Sequence, residues 1–372
     1  MNIAFFSESY KPYVSGVTNS IETLKKGLEE LGHQVIVFSP SYPNSGPLTD
    51  VFRFPSIPAP YPGYRITIPV PGKYLDLLKT KKINIIHSHS PYQLGLLSMN
   101  YAKKLKVPFI FTMHTILSQY MHYIPLVPQS VSSFLMDAYI RWFCNRCGCV
   151  IVPTKKVMDQ LRSTGIKSRI EIIPTGIDMT LVDKASASGI RGKYGIPDDA
   201  KLLLFVGRLA REKNLLFLLK AFELIQKKKG NVYLLIAAGG PMEKELKAAA
   251  PENVIFSGAI GYPEVFNYYK ASDIFVFSSL SETQGLVLAE AMACSVPQVA
   301  VDAEGASDVV KDGVTGYLTS HSEEAFSSAV LRLIEDEGSR EKMSRSSIET
   351  ARSVYSKEVF AQKIELIYKS MI

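Results

Sequence analysis

Short apolar runs bounded by Gly, Pro and Ser alternate along this chain with longer segments whose apolar positions return every three or four residues. The first pattern marks strands buried on both faces, and the second marks helices with one packed face. Residues 2–7 (NIAFFS) predict a buried strand, and 17–31 a helix carrying Val17, Ile21, Leu24 and Leu28 on one side. Gly32 caps that helix, and 35–38 is the next strand. Strands follow at 84–87, 107–112, 149–152 and 170–173, with helices over 92–105, 130–147 and 155–162. The stretch 40–71, rich in Pro, Tyr and Ser, predicts a long loop region with one short strand at 51–54. A helix is expected over 73–82, a break in regular structure over 119–128, and a polar linker over 183–199.

The alternation then restarts. Strands are predicted at 202–206, 232–237, 254–256, 274–277 and 299–301, with a turn and strand over 313–318 and a helix over 215–227. Strand–helix alternation in both halves predicts an α/β protein of two parallel-sheet domains facing across a cleft. The absence of a short-period repeat disfavours a solenoid.

The stretch 275–297 (FVFSSLSETQGLVLAEAMACSVP) holds the densest chemistry. A buried strand ends in Ser278 and Ser279, and an alanine-rich helix begins near Gly285. Glu282 and Glu290 bracket the turn with seven residues between them. A glycine at a helix mouth lets a ligand approach the backbone, and the unpaired N–H groups there favour an anion such as a diphosphate. Glu290 falls among Leu286, Val287, Ala289 and Ala293, so if buried it needs a hydrogen-bond donor, which sugar or ribose hydroxyls would provide. Two solvated glutamates on a surface helix remain the alternative. Arg208 and Lys213, just past the strand 202–206, are spaced to bring two cations to one mouth. Together they would neutralise a leaving diphosphate.

In the first half, the loop 7–16 ends in Ser15-Gly16-Val17 at a helix start and can set backbone N–H groups against a phosphate. It lacks the G-x-G-x-x-G pattern, which disfavours a nicotinamide or flavin enzyme. His114 lies just beyond a strand's carboxyl end, where open parallel sheets bind ligands. His87 and His89 could suggest a metal pair, although side chains at strand spacing need not converge. The helix 130–147 carries Phe134, Leu135, Tyr139, Trp142 and Phe143 beside Arg141 and Arg146, a stripe suited either to core or to lipid.

Composition adds three constraints. The 372 residues suffice for two cores, and 47% hydrophobic against 21% charged residues is ordinary for a globular enzyme. The net charge of +7 is uneven: residues 1–180 hold 19 Lys and Arg against 10 Asp and Glu, a surplus of 9, whereas the remainder holds 23 against 25. A basic first half suits an anionic partner, whether membrane, phosphate ligand or nucleic acid, or simply a soluble surface. No apolar run reaches transmembrane length, and a cytoplasmic protein is expected. Cys144, Cys147 and Cys149 crowd together while Cys294 stands alone, which is no disulfide framework. A zinc site would want a fourth ligand that is not evident nearby, leaving reduced thiols as the other reading.

Taken together, Ser15-Gly16-Val17, His114-Thr115, Pro174-Thr175-Gly176-Ile177-Asp178, Gly207-Arg208 with Lys213-Asn214, and the run from Glu282 to Glu290 resemble the retaining glycosyltransferases of family four. The resemblance implies the GT-B architecture: two Rossmann-like, doubly wound domains. An acceptor domain would span 1–180 and a nucleotide-sugar domain 200–355, with a helix over 356–372 packing back on the first. It further implies that Arg208 and Lys213 bind the donor diphosphate and that Glu290 holds the ribose. Glu282, with the backbone of Thr283, Gln284, Gly285 and Leu286, would hold the donor sugar. Gly16 would admit the N-terminal loop to the phosphates, His114 would stand by the reaction centre, and backbone near Ala259 and Ile260 would meet the base. The family needs no metal and no cofactor beyond its nucleotide-sugar donor.

Within that family, His114-Thr115 with Gln119-Tyr120-Met121-His122-Tyr123, and Cys144-Asn145-Arg146-Cys147 before 150–154, are similar to diacylglycerol glucosyltransferases. This implies UDP-glucose as donor, a lipid acceptor such as diacylglycerol, and a peripheral place on the anionic inner face of the cell membrane. Gln119 departs from the acidic residue of that subgroup, and 303–308 (AEGASD) departs from the usual Gly-Gly and later Glu. The alternatives are the same catalyst with a soluble or polyprenyl-linked glycan acceptor, and a non-catalytic binding protein. The cationic pair and both glutamates count against the latter, and no nucleic-acid-reading motif is present.

Overall fold

The computed structural model describes residues 1–372 except 44, 60–63 and 116–128, together with the side chains of 129 and 130. The predicted break over 119–128, and Gln119 with it, lies outside the described residues. The chain divides into two compact units: Met1–Gly176 with Lys357–Ile372, and Ile177–Ser356.

In the first unit the strands are β1 (Asn2–Phe6), β2 (Gln34–Pro40), β3 (Val51–Phe54), β4 (Ser56–Pro58), β5 (Arg65–Thr67), β6 (Ile85–Ser88), β7 (Phe109–Thr112), β8 (Cys149–Val152) and β9 (Ile170–Ile172). Seven of them form one parallel sheet in the order β3-β2-β1-β6-β7-β8-β9, while β4 and β5 form a small antiparallel ribbon. Register places Phe5 beside Val37 on one side and His87 on the other. Successive side chains of a strand leave by opposite faces. Ile3 and Phe5 therefore join Ile21, Leu24 and Leu28 of the helix Gly16–Glu30, whereas Ala4 and Phe6 join Leu94, Leu97 and Tyr101 of the helix Gln93–Leu105. The sheet is thus covered on both faces.

The helix Lys357–Lys369 completes this unit against Gly16–Glu30. The two approach so closely that a Cβ on Gly27 would stand 2.7 Å from that of Ala361. A mid-helix glycine costs about 1 kcal/mol against alanine, and here the close crossing offsets that cost. Buried Lys357 donates to Glu30 at 2.7 Å, and His33 Nε2 meets Glu365 at 2.9 Å.

The second unit is a six-stranded parallel sheet. Its strands are β10 (Lys201–Val206), β11 (Val232–Ala237), β12 (Val254–Phe256), β13 (Ile274–Phe277), β14 (Gln298–Val301) and β15 (Gly316–Thr319), in the order β12-β11-β10-β13-β14-β15. Winding runs outward from β10 to β12 and then restarts at β13 on the other side of β10, so the order reverses between β10 and β13. The same reversal in the first sheet falls between β1 and β6. Ligands of open α/β sheets bind beyond the carboxyl ends of the strands at such points.

Three expectations are corrected. The polar stretch 183–199 is no linker: it holds the end of the helix Met179–Lys184 and the helix Ile190–Lys193, and Ile190 and Ile196 are buried in the second core. Arg191 fixes it further by pairing with Asp273 at 2.8 Å. Region 40–71 contains β4 and β5 besides β3, and the helix expected over 73–82 is confined to Leu75–Thr80. The aromatic helix, Gln129–Cys144, divides by face: Ile140, Phe143 and Cys144 enter the core, whereas Val131, Phe134, Leu135 and Trp142 are exposed. All four cysteines are unpaired and buried, with their thiols pushed up by burial.

Candidate active site

In the second unit the site is built from the loops leaving β10 and β13, the strands that flank the reversal. Beyond β10 come exposed Arg208 and the short 3-10 turn Arg211–Lys213, and left-handed Asn214 (φ 55°) turns the chain into the helix Leu215–Lys228. Beyond β13, Ser278 Oγ donates to the carbonyl of Lys213 at 2.8 Å and Ser279 Oγ to that of Glu212 at 3.2 Å. The Leu280 amide also donates to the Glu212 carbonyl at 3.2 Å. These three bonds lash one loop to the other, and the Lys213 ammonium pairs with the Glu282 carboxylate where each side chain is only 16% exposed. A pair this sheltered interacts more strongly than one in open water.

Gly285 caps the helix Leu286–Ala293 at φ +73°, a conformation that suits glycine. Thr283 and Leu286 are half-buried and Gln284 is buried. One turn into the helix, Glu290 is buried and accepts from the Tyr269 hydroxyl at 2.9 Å. Burial raises its carboxyl to about 7, and the Tyr269 bond works against that rise. The surface-glutamate alternative is thereby excluded for Glu290. Two further strand-end loops close in on these: a Cβ on Gly240 would stand 2.6 Å from the Leu209 carbonyl oxygen, and one on Gly239 would stand 3.4 Å from Ala259 Cβ. Ile260 follows half-buried beyond β12.

The first unit places its own polar groups at its own reversal. Gly16 opens its helix with Ser15 as cap, accepting from the Thr18 amide at 3.2 Å, and a Cβ on Gly16 would meet no atom within 4 Å. Beyond β1, buried Glu8 accepts from the Leu94 amide at 2.6 Å and from the Thr67 hydroxyl, which ties the loop to the next helix and to β5. Beyond β6 and β7 three imidazoles stack: His87 on His89 with ring centroids 4.3 Å apart, and His89 on His114 at 5.3 Å. His87 Nδ1 meets the Tyr368 hydroxyl at 2.6 Å and its Nε2 meets Thr112 Oγ1 at 2.7 Å. His89 Nδ1 meets His114 Nε2 at 3.1 Å. Burial depresses all three, His87 to about 3 and His114 to about 4, so the rings are neutral. Among the described residues no group of three or more His, Cys, Asp or Glu is arranged to hold a metal ion.

Sequence reasoning missed Glu8, Tyr269 and Tyr368, and also Gly305, where a Cβ would stand 2.5 Å from that of Glu282. Glu8 could have been suspected from its place one residue after Ser7, at the carboxyl end of a buried strand; Tyr269 and Tyr368 sit in amphipathic helices where a buried tyrosine reads as core.

Two doubly wound parallel sheets, each with charged and polar loops at its reversal point, are the architecture of the GT-B glycosyltransferases. Over 99% of this chain and 98% of its own, sucrose-phosphate synthase from Thermosynechococcus elongatus superposes with a TM-score of 0.78 at 20% identity. Alpha-monoglucosyldiacylglycerol synthase of Streptococcus pneumoniae is 34% identical over 334 residues, 86% of this chain and 75% of that one. The synthase of the same name from Acholeplasma laidlawii is 31% identical over 396 residues, 100% of this chain and 98% of that one. A family model described as Glycosyltransferase Family 4 matches residues 14–181, and one described as Glycosyl transferases group 1 matches 187–350. The chain belongs to glycosyltransferase family 4 and is a hexosyltransferase.

Proposed function

We propose that this enzyme moves glucose from UDP-glucose to a diacylglycerol acceptor in an anionic membrane, with retention at the anomeric carbon. The catalytic reading rests chiefly on the sheltered Lys213–Glu282 pair, with buried Glu290 one helical turn beyond Gly285. Lys213, with Arg208, would take the donor diphosphate. Glu282, released from Lys213 as the phosphates arrive, would orient the sugar together with the backbone of 283–286. Glu290 would accept from ribose hydroxyls, and the backbone near Ile260 would meet the base. In the first unit the space beside Gly16 is open; the phosphate role of Gly16 and the sugar role of His114 would follow from the family resemblance.

The proposed reaction is a same-face displacement. The bond from the anomeric carbon to the diphosphate breaks as the acceptor oxygen attacks, and the departing diphosphate oxygen takes the acceptor proton. Neutralisation of the leaving charge falls to Arg208 and Lys213. No cofactor or metal enters this scheme. The lipid acceptor is supported by the exposed stripe Val131, Leu135 and Trp142, spaced by four and seven residues on one helix with Phe134 beside it and Arg141 and Arg146 at its end. Apolar side chains rimmed by cations suit an anionic membrane surface. The two relatives named above act, by their names, on glucosyldiacylglycerol synthesis. Among the described residues no helix is long and apolar enough to cross a membrane, so attachment would be peripheral.

The test is a screen of radiolabelled UDP-glucose, UDP-galactose and GDP-mannose, each with diacylglycerol in anionic micelles, followed by lipid extraction. Label in the lipid phase with UDP-glucose alone is expected. Label with another donor would replace the sugar, and label confined to the aqueous phase would keep the catalyst and discard the lipid in favour of a glycan acceptor.

A further inference from the structure

Among the described residues the three-histidine stack leaves one fully buried atom without a partner: Nε2 of His89, on a residue only 4% exposed. Each ring is neutral and so carries a single N–H. His87 has both nitrogens engaged, by Tyr368 and Thr112, and offers nothing to its neighbour. The contact between His89 Nδ1 and His114 Nε2 needs one proton between the two atoms. If His114 supplied it, the proton of His89 would sit on Nε2, a buried donor with no acceptor. If His89 supplies it, Nε2 is only an unused lone pair. An orphaned buried N–H is the costlier of the two defects.

We infer that His89 is a positioning residue: its Nδ1–H donates to Nε2 of His114 and locks His114 in the tautomer whose proton is on Nδ1. His114 then offers the substrate a donor, never an acceptor, and suits a hydroxyl oxygen with a free lone pair. That last clause rests on the proposed role of His114; the tautomer assignment does not. Phe5 and His89 pack T-shaped with centroids 4.8 Å apart, and an Nε2–H resting on the Phe5 ring face is the arrangement this inference denies.

Long-range proton–nitrogen correlations of the imidazoles in the nitrogen-15-labelled full chain at neutral pH test it directly, with the His114 signals identified by their loss in His114→Gln. The wild type should show His114 protonated on Nδ1. His89→Asn, whose amide nitrogen stands close to the lost Nδ1, should keep that pattern and turnover within about threefold. His89→Leu should give mixed tautomers and a kcat about tenfold lower, with nucleotide affinity unchanged. A proton on Nε2 of His114 in the wild type would overturn the inference, as would an unaltered His114 pattern in His89→Leu. Should the leucine variant not fold, the wild-type and asparagine spectra decide alone. A His114 protonated on Nδ1 in a chain that transfers no sugar would refute the proposed function and leave this inference standing.

Discussion

Gly305 lies directly against Glu282: at its φ of +79°, a Cβ on Gly305 would stand 2.5 Å from both the Cβ and the carbonyl oxygen of Glu282. The loop beyond β14 thus sets the position of the carboxylate that pairs with Lys213. Gly305→Ala must push that backbone aside. Transfer is expected to fall about a hundredfold, the usual consequence of an ångström's misplacement in an active site. Far-ultraviolet circular dichroism should be unaltered. Wild-type turnover in this variant would detach the position of Glu282 from catalysis.

Glu282→Ala should abolish transfer while nucleotide affinity is largely kept, because the carboxylate faces the sugar in the proposed scheme. Lys213→Ala should instead weaken UDP binding by tenfold or more, as expected for a lost charge-assisted contact to phosphate. Calorimetric titration with UDP separates the two, and equal losses of affinity would merge the roles.

Glu290→Gln tests the buried carboxyl. Its value rises from the ordinary 4.5 to about 7 on folding, so between these pH values the native state holds the proton and the unfolded chain has released it. Stability from this group is complete below pH 4.5 and is lost as pH climbs through 7, by up to about 3 kcal/mol. Glutamine should remove that slope, which thermal melts from pH 4 to 8 would reveal. Ribose hydroxyls donate to the ionised form, so wild-type nucleotide affinity should rise between pH 6 and 8, while that of Glu290→Gln should be weaker and flat.

For the membrane, reversing Lys79, Lys81 and Lys82 to Glu should lower binding to anionic liposomes at least tenfold, at about 1 kcal/mol per basic residue near the surface. Phe134→Ser with Leu135→Ser should lower it without altering its salt dependence, because those side chains contribute area and no charge. Sedimentation with vesicles of phosphatidylglycerol measures both. Undiminished binding in both variants would discard the membrane reading.

Both sheets were legible in the sequence because parallel strands buried on two faces are written as bare apolar runs: Ile3–Phe6 and Leu202–Phe205 admit little else. The ribbon of β4 and β5 was not, since Pro55, Pro58 and the short length of each strand read as loop. The stretch 183–199 misled for a different reason. Its polarity is real, yet Ile190 and Ile196 are enough to anchor it. At the site, the spacing of Glu282 from Glu290 and of Arg208 from Lys213 announced charged groups at strand ends. It could not announce Tyr269, which reaches Glu290 from another helix 21 residues away in sequence. Nor could it show that Gly305, in a segment noted only for departing from its family, abuts Glu282.

The first unit is assembled from two separated pieces of chain, and this bears on how it is made. When the ribosome has finished 1–176, the face of its sheet that needs Phe360, Ile364 and Tyr368 is still bare, and His87 has no Tyr368 to meet. The second unit, one uninterrupted stretch, has all its residues first. Synthesis order and completion order are therefore reversed: the half that emerges first is finished last, with Gly27 held open for a helix that arrives some 330 residues later.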